Sequence, residues 1–198
     1  MLLRRLRLSL TLLGLSLLLG SQGASSPPQA KPEPGAEVCV FAPPTPHDPR
    51  SGLALLAPRP VPADARCPVC GMFPARAPDW AAQVIFDNGD TQFFDSPLSL
   101  FIYLQDVGRY TRGRRAGEIA ASYVRANRGG GWLLARDAVF VQGSAALGPM
   151  RAGNLPAFAD RASAQRFAAE QGGDLLTPAQ ITPQLLARLD TRRASHRH

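Results

Sequence analysis

The sequence predicts an α+β fold: two similar halves of mostly antiparallel strands with helices packed on one face, preceded by a proline-rich arm. Three observations carry this reading. An Asn-Gly pair, Asn88-Gly89, separates two runs of apolar and β-forming residues, 82–86 and 91–94. The order hairpin, helix, strand then recurs in the last third of the chain, where Phe158, Ala159, Asp160 echo Phe93, Phe94, Asp95. Finally, 14 of the 19 prolines fall between residues 25 and 78, which excludes regular helix and central strand from that stretch. A chain of 198 residues with 45% apolar and 19% charged residues holds one core, shared by at most two small halves.

Taken in order, the chain opens with Arg4, Arg5 and Arg7 before a Leu-rich uncharged run over 8–19, ending in Gly20, Ser21, Gln22, Gly23 and Ala24. A basic start, an apolar stretch of about 12 residues and small residues at a cleavage point describe an export signal rather than a spanning helix. The expectation is an exported, periplasmic or extracytoplasmic protein with a signal over 1–23, an uncut signal acting as a tether being the alternative. No Cys follows the apolar run, so no lipid-attachment site is expected, and the Arg pair lacks the flanks of a twin-arginine signal.

Residues 24–62 read as a proline-rich linker followed by an irregular arm with apolar anchors at Val40, Phe41, Leu53, Leu55 and Leu56, and the folded domain is expected over 63–190. Within it the Asn-Gly turn makes the hairpin. Asp95 and Ser96 are candidate caps for a helix with Pro97 in its first turn and Leu98, Phe101, Ile102 and Leu104 on its buried face, ended by Gly108. Strands are expected over 119–126, 132–134 and 138–141. Asp160 caps a helix carrying Ala164, Phe167 and Ala168, closed by Gly172 and Gly173 before a short strand at Leu175 and Leu176; a last helix spans 178–189. Residues 191–198 form a flexible basic tail.

The formal charge is +7, from 22 basic and 15 acidic residues, and three of the positive charges belong to Arg4, Arg5 and Arg7. The two remaining arginine clusters, Arg112 to Arg115 and Arg192 to Arg197, are not interleaved with stacking aromatics, so nucleic-acid binding is not expected. The first of them is a candidate dock for an acidic partner.

Chemistry concentrates in Cys67-Pro-Val-Cys70-Gly-Met72. Cys70 and Met72 can converge on one ion because Gly71 lets the backbone turn between them, and thiolate with thioether is a soft pair that favours Cu(I) over Zn(II), Mg(II) or Ca(II). Cys67 and Met150, in the rigid Gly148-Pro149-Met150 turn, are the further candidate ligands. Other readings stay open: a disulfide or thiol-exchange pair of Cys67 and Cys70, a structural zinc site short of ligands, and methionines that merely pack. Cys39, His47, His196 and His198 have no assigned role. No histidine falls inside the expected domain, and no nucleophile elbow or phosphate loop occurs, so a non-enzyme with no small-molecule substrate is expected.

The ordered set 67–74 (Cys-Pro-Val-Cys-Gly-Met-Phe-Pro), Trp80 to Gln83, the Gly89 hairpin with Phe93, Phe94 and Asp95, the stretch 137–144 and Gly148 to Met150 resembles the NosL family over roughly 63–186. The resemblance implies an exported Cu(I) metallochaperone for the copper-sulfide centre of nitrous-oxide reductase, working with a membrane-associated ABC-type maturation complex. It places that family's Cys-x-Met element on Cys70 and Met72. Many members carry a lipid-bearing Cys at the signal cleavage site, which this sequence lacks.

Overall fold

The hairpin forms where the Asn-Gly turn placed it. In the computed structural model, which describes residues 42–151 and 154–190, β1 (Ala82–Phe86) and β2 (Thr91–Phe94) pair antiparallel from Ala82 with Phe94 to Ile85 with Thr91. Asn88 closes the turn by holding both the side chain and the amide of Asp90, at 2.8 and 3.1 Å. β3 (Ile119–Arg125) lies antiparallel on the other side of β1, and β4 (Trp132–Leu134) pairs with it in turn, giving the order β2-β1-β3-β4.

Every residue of β1 and β2 is buried. Ala82, Val84 and Phe86 face the main core, while on the opposite face Gln83 meets Arg59 of the proline-rich arm. The arm attaches through backbone: Thr45 exchanges two hydrogen bonds of 2.8 Å with Thr91, shielding the free edge of β2. Gln83 explains a polar residue in a buried strand. Its side-chain amide accepts from the Arg59 amide and donates to the Arg59 carbonyl, both at 3.0 Å, as a strand neighbour would. Gly89 is required here twice over: its φ is +84°, and a Cβ would lie 2.6 Å from Leu55 Cδ1 and 2.9 Å from His47 Cβ.

α1 (Pro97–Gln105) begins at Ser96, whose Oγ accepts from the Ser99 amide at 3.3 Å. It ends three residues before Gly108, because Asp106 turns out of the helix and its carboxylate accepts from the Arg109 amide at 3.1 Å, starting α2 (Val107–Tyr110). Gly108 is therefore inside a helix and terminates nothing.

The second half repeats the topology. β5 (Val139–Gln142) lies between β6 (Ala157–Phe158) and β7 (Asp174–Leu176), both antiparallel to it, and α3 (Arg161–Gln171) joins the outer strands as α1 joins β2 to β3. The expected last helix is in two pieces, a 3-10 turn Pro178–Gln180 and α4 (Pro183–Leu189). Pro183 has no amide hydrogen and disfavours helical geometry at Thr182, which sits extended and caps α4 instead.

One core serves both halves. Phe101 of α1 meets Phe140 of β5 edge to face with centroids 5.2 Å apart, and Tyr103, Phe86, Phe94, Val124 and Leu155 fill the space around them. A smaller cluster under α3 packs Phe158 on Phe167 at 4.9 Å. The described residues all belong to a single compact unit. The expected export signal, the linker, Cys39, Val40, Phe41 and the basic tail with His196 and His198 lie outside the described residues.

Candidate metal centre

Residues 67–72 close on themselves. The Cys67 amide donates to the Met72 carbonyl at 2.9 Å and the Gly71 amide to the Cys67 carbonyl at 2.8 Å, a tight loop that needs the positive φ of Gly71, +75°. The Met72 amide also points at the Cys70 sulfur. Cys67 is fully buried within the main core and Cys70 is half-buried; both are free thiols.

Opposite the loop stands Asp95, fully buried in the single residue between the end of β2 and the cap of α1. One donor atom from each of Cys67, Cys70 and Asp95 lies within 4.8 Å of the others. Asp95 Oδ1 accepts from Ser96 Oγ at 3.5 Å, and Oδ2 has no hydrogen-bond partner. A buried carboxylate oxygen with no donor is costly, and this carboxylate together with the two thiols is a donor set that a cation would satisfy. The hydrogen bond with Cys67 pushes the Cys70 thiol well above its usual range, helped by burial and by electrostatic repulsion from Cys67 and Asp95, against the smaller opposing pull of the Met72 amide. A metal entering here displaces a thiol proton.

Met72, in the same loop, is 38% exposed, as is Met150. Met150 occupies a turn closed by the Arg151 amide on the Gly148 carbonyl at 2.8 Å, and Gly148 lies against the Trp80 ring and Asn154. The structure thus brings Cys67, Cys70 and the Met72 backbone into one loop and leaves Met72 and Met150 exposed.

Asp95 and Ser96 are both candidate caps of α1 by sequence. Ser96 takes that role, with Pro97 in the first helical position, so Asp95 is spare. In the second half the cap is Asp160, which accepts from the Ser163 amide at 2.7 Å. Matched by their caps, the halves therefore set Ser96 against Asp160 and Asp95 against Ala159. A carboxylate between an apolar strand and a capped, apolar helix was the available signal.

A cavity of about 240 Å³ between α1, α2 and α4, lined in part by Ile102, Tyr110 and Leu186, shares no residue with the 67–72 loop.

The comparisons with known proteins agree with this architecture. No curated protein matches the chain. The solved structure of the copper chaperone NosL from Shewanella denitrificans is similar in fold, with a TM-score of 0.53 at 22% identity, covering 65% of this chain and 97% of that one. The NosL family model matches residues 58–186, which include the thiol loop, Asp95 and both sheets, and the chain belongs to the NosL family.

Proposed function

We propose that this protein is an exported metallochaperone that carries one Cu(I) ion on the 67–72 loop of a copper-binding domain over 63–190. The observation that carries the reading is the convergence of Cys67, Cys70 and the buried carboxylate of Asp95, one of whose oxygens has no hydrogen-bond partner, at the loop that carries the exposed Met72. Thiolates and a thioether select a soft monovalent ion. Family membership supports it, as does the fold similarity to a protein described as a copper chaperone.

The graded burial suits delivery. Cys67 is sealed in the core, Cys70 is half-buried and Met72 is exposed, so an acceptor's ligands reach the ion first from the Met72 side. Copper then passes by ligand exchange, the acceptor's donors replacing Met72 before the deeper thiolates are reprotonated. Met150, also exposed, is a candidate outer ligand. The client is nitrous-oxide reductase, reached together with its ABC-type maturation complex, as the family resemblance implies.

The thiol-exchange alternative is disfavoured physically. An exchange thiol is an accessible thiolate of lowered pKa, whereas Cys67 is buried and the Cys70 thiol is pushed upward. The test is a Cu(I) competition titration of the reduced protein against a colorimetric chelator, with Cys70→Ala and Met72→Ala alongside. One-to-one binding lost in Cys70→Ala and weakened in Met72→Ala is expected; wild-type affinity in Cys70→Ala refutes the site.

A further inference from the structure

Several arginines of the described residues are paired with carboxylates within the fold. Arg114 pairs with Asp90 and, at 3.5 Å, with Glu118; Arg115 reaches Glu118 at 3.8 Å; Arg128 holds Glu170 at 2.6 Å. The 112–115 loop, a natural sequence candidate for an acidic partner, thus has two of its three charges answered within the fold. Two arginines beside the thiol loop are different. Arg66 immediately precedes Cys67, donates from Nη1 to the Gly71 carbonyl at 3.2 Å, and stacks its guanidinium 4.1 Å from the Phe73 ring centroid. Arg76 stacks on the same ring at 4.5 Å. Both residues are exposed, and neither meets a carboxylate among the described residues, although Asp64 and Asp79 are close in sequence.

A guanidinium stacked on an aromatic face keeps its N–H edge free and its rotamers restricted, so it offers paired donors to a carboxylate at reduced entropic cost. Phe73 follows Met72 in the chain, so the cluster lies next to the thiol loop and its exposed methionine. We infer that Arg66, Phe73 and Arg76 form the docking face for an acidic protein segment of the copper acceptor, which orients that acceptor's ligands toward Met72. This deepens the copper-delivery reading and rests on it for the identity of the cargo. An anionic lipid surface would be drawn by the same charges; planar paired donors favour discrete carboxylates.

The experiment uses the reduced, copper-free full chain and a rhodamine-labelled peptide bearing two methionines flanked by Asp, with an Asn-flanked twin as control. Anisotropy at low salt is expected to show preference for the Asp peptide. Arg66→Gln/Arg76→Gln should weaken it about tenfold and flatten its salt dependence, while Arg112→Gln/Arg115→Gln leaves it within about twofold. Because Arg66 also braces the loop carbonyl, Arg76→Gln alone, which removes no side-chain hydrogen bond, provides a second variant and should give an intermediate loss. With copper loaded, transfer to the Asp peptide should slow in Arg76→Gln while chelator competition gives a Cu(I) affinity unchanged from wild type. A chain that binds no Cu(I) overturns the delivery reading, yet peptide anisotropy still reads the docking face. Equal affinity of wild type and the Arg66/Arg76 variant, equal loss in the Arg112/Arg115 variant, or binding to phosphatidylglycerol vesicles without binding to the peptide overturns the docking inference.

Discussion

Asp95→Asn separates the two roles that a carboxylate at this position can have. If Asp95 were a helix cap, Asn would replace it at almost no cost, since the two residues cap about equally well. In the structure Ser96 caps α1, and Asp95 is fully buried with Oδ2 unpartnered and two thiols within 4.8 Å. Asn keeps the shape, removes the buried charge, and presents an amide whose N–H can donate toward the Cys67 and Cys70 sulfurs. Relieving one unsatisfied buried group is worth about 1 to 3 kcal/mol. For a chain of this size that raises Tm by about 2 to 4 °C per kcal/mol. The measurement is thermal and urea unfolding of the reduced, metal-free protein, wild type against Asp95→Asn. A stabilised variant is expected, a site residue held at the expense of stability. An unchanged or lowered midpoint would refute the claim that Asp95 is poised for a cation and return it to a purely structural role.

Three further outcomes are expected. Phe140→Ala removes the fully buried ring that joins the halves through Phe101, and should cost about 3 to 5 kcal/mol in urea unfolding monitored by circular dichroism. Each thiol that binds Cu(I) as thiolate releases one proton, and Cys70 holds its proton more firmly than usual; conditional Cu(I) affinity should therefore rise about tenfold per pH unit per thiolate between pH 6 and 8, and a flat chelator-competition profile would show that no thiol is a ligand. The Asp160 carboxylate lies below its ordinary pKa because the Ser163 amide and hydroxyl donate to it. The stabilisation it gives is complete above the usual carboxylate range and is lost as pH falls through the folded value, so Asp160→Ser, which retains a cap but not the titration, should flatten the acid limb of the stability profile.

The elements most legible in the sequence are those set by local stereochemistry. Asn88-Gly89 specifies the hairpin, Asp160 and Gly172 bracket α3, and Gly71 allows the 67–72 loop to close. Local signals misled where two compete within a few residues. Gly108 looked like a terminator, but Asp106 had already ended α1 and restarted a helix. The run 178–189 has helical periodicity, but Pro183 breaks it and Thr182 caps α4 on the far side of the break. At Asp95 and Ser96 two capping residues stand side by side, and only one is needed.

By itself the sequence determined the α+β class, the repeated strand and helix order, the family, and the soft-donor character of the 67–72 loop, because periodicity, turn residues and ligand types are properties of short segments. Only the tertiary structure decided what stands opposite that loop. The pairing of β1 with β2 and the capping of α1 by Ser96 bring Asp95 within reach of thiols 25 or more residues away in the chain. It likewise decided which arginines remain unanswered, since Arg114 finds Asp90 across the fold while Arg66 and Arg76 stack on Phe73. Both outcomes are distances between segments remote in sequence, and these exist only once the backbone hydrogen bonds and the shared core have fixed where each segment lies.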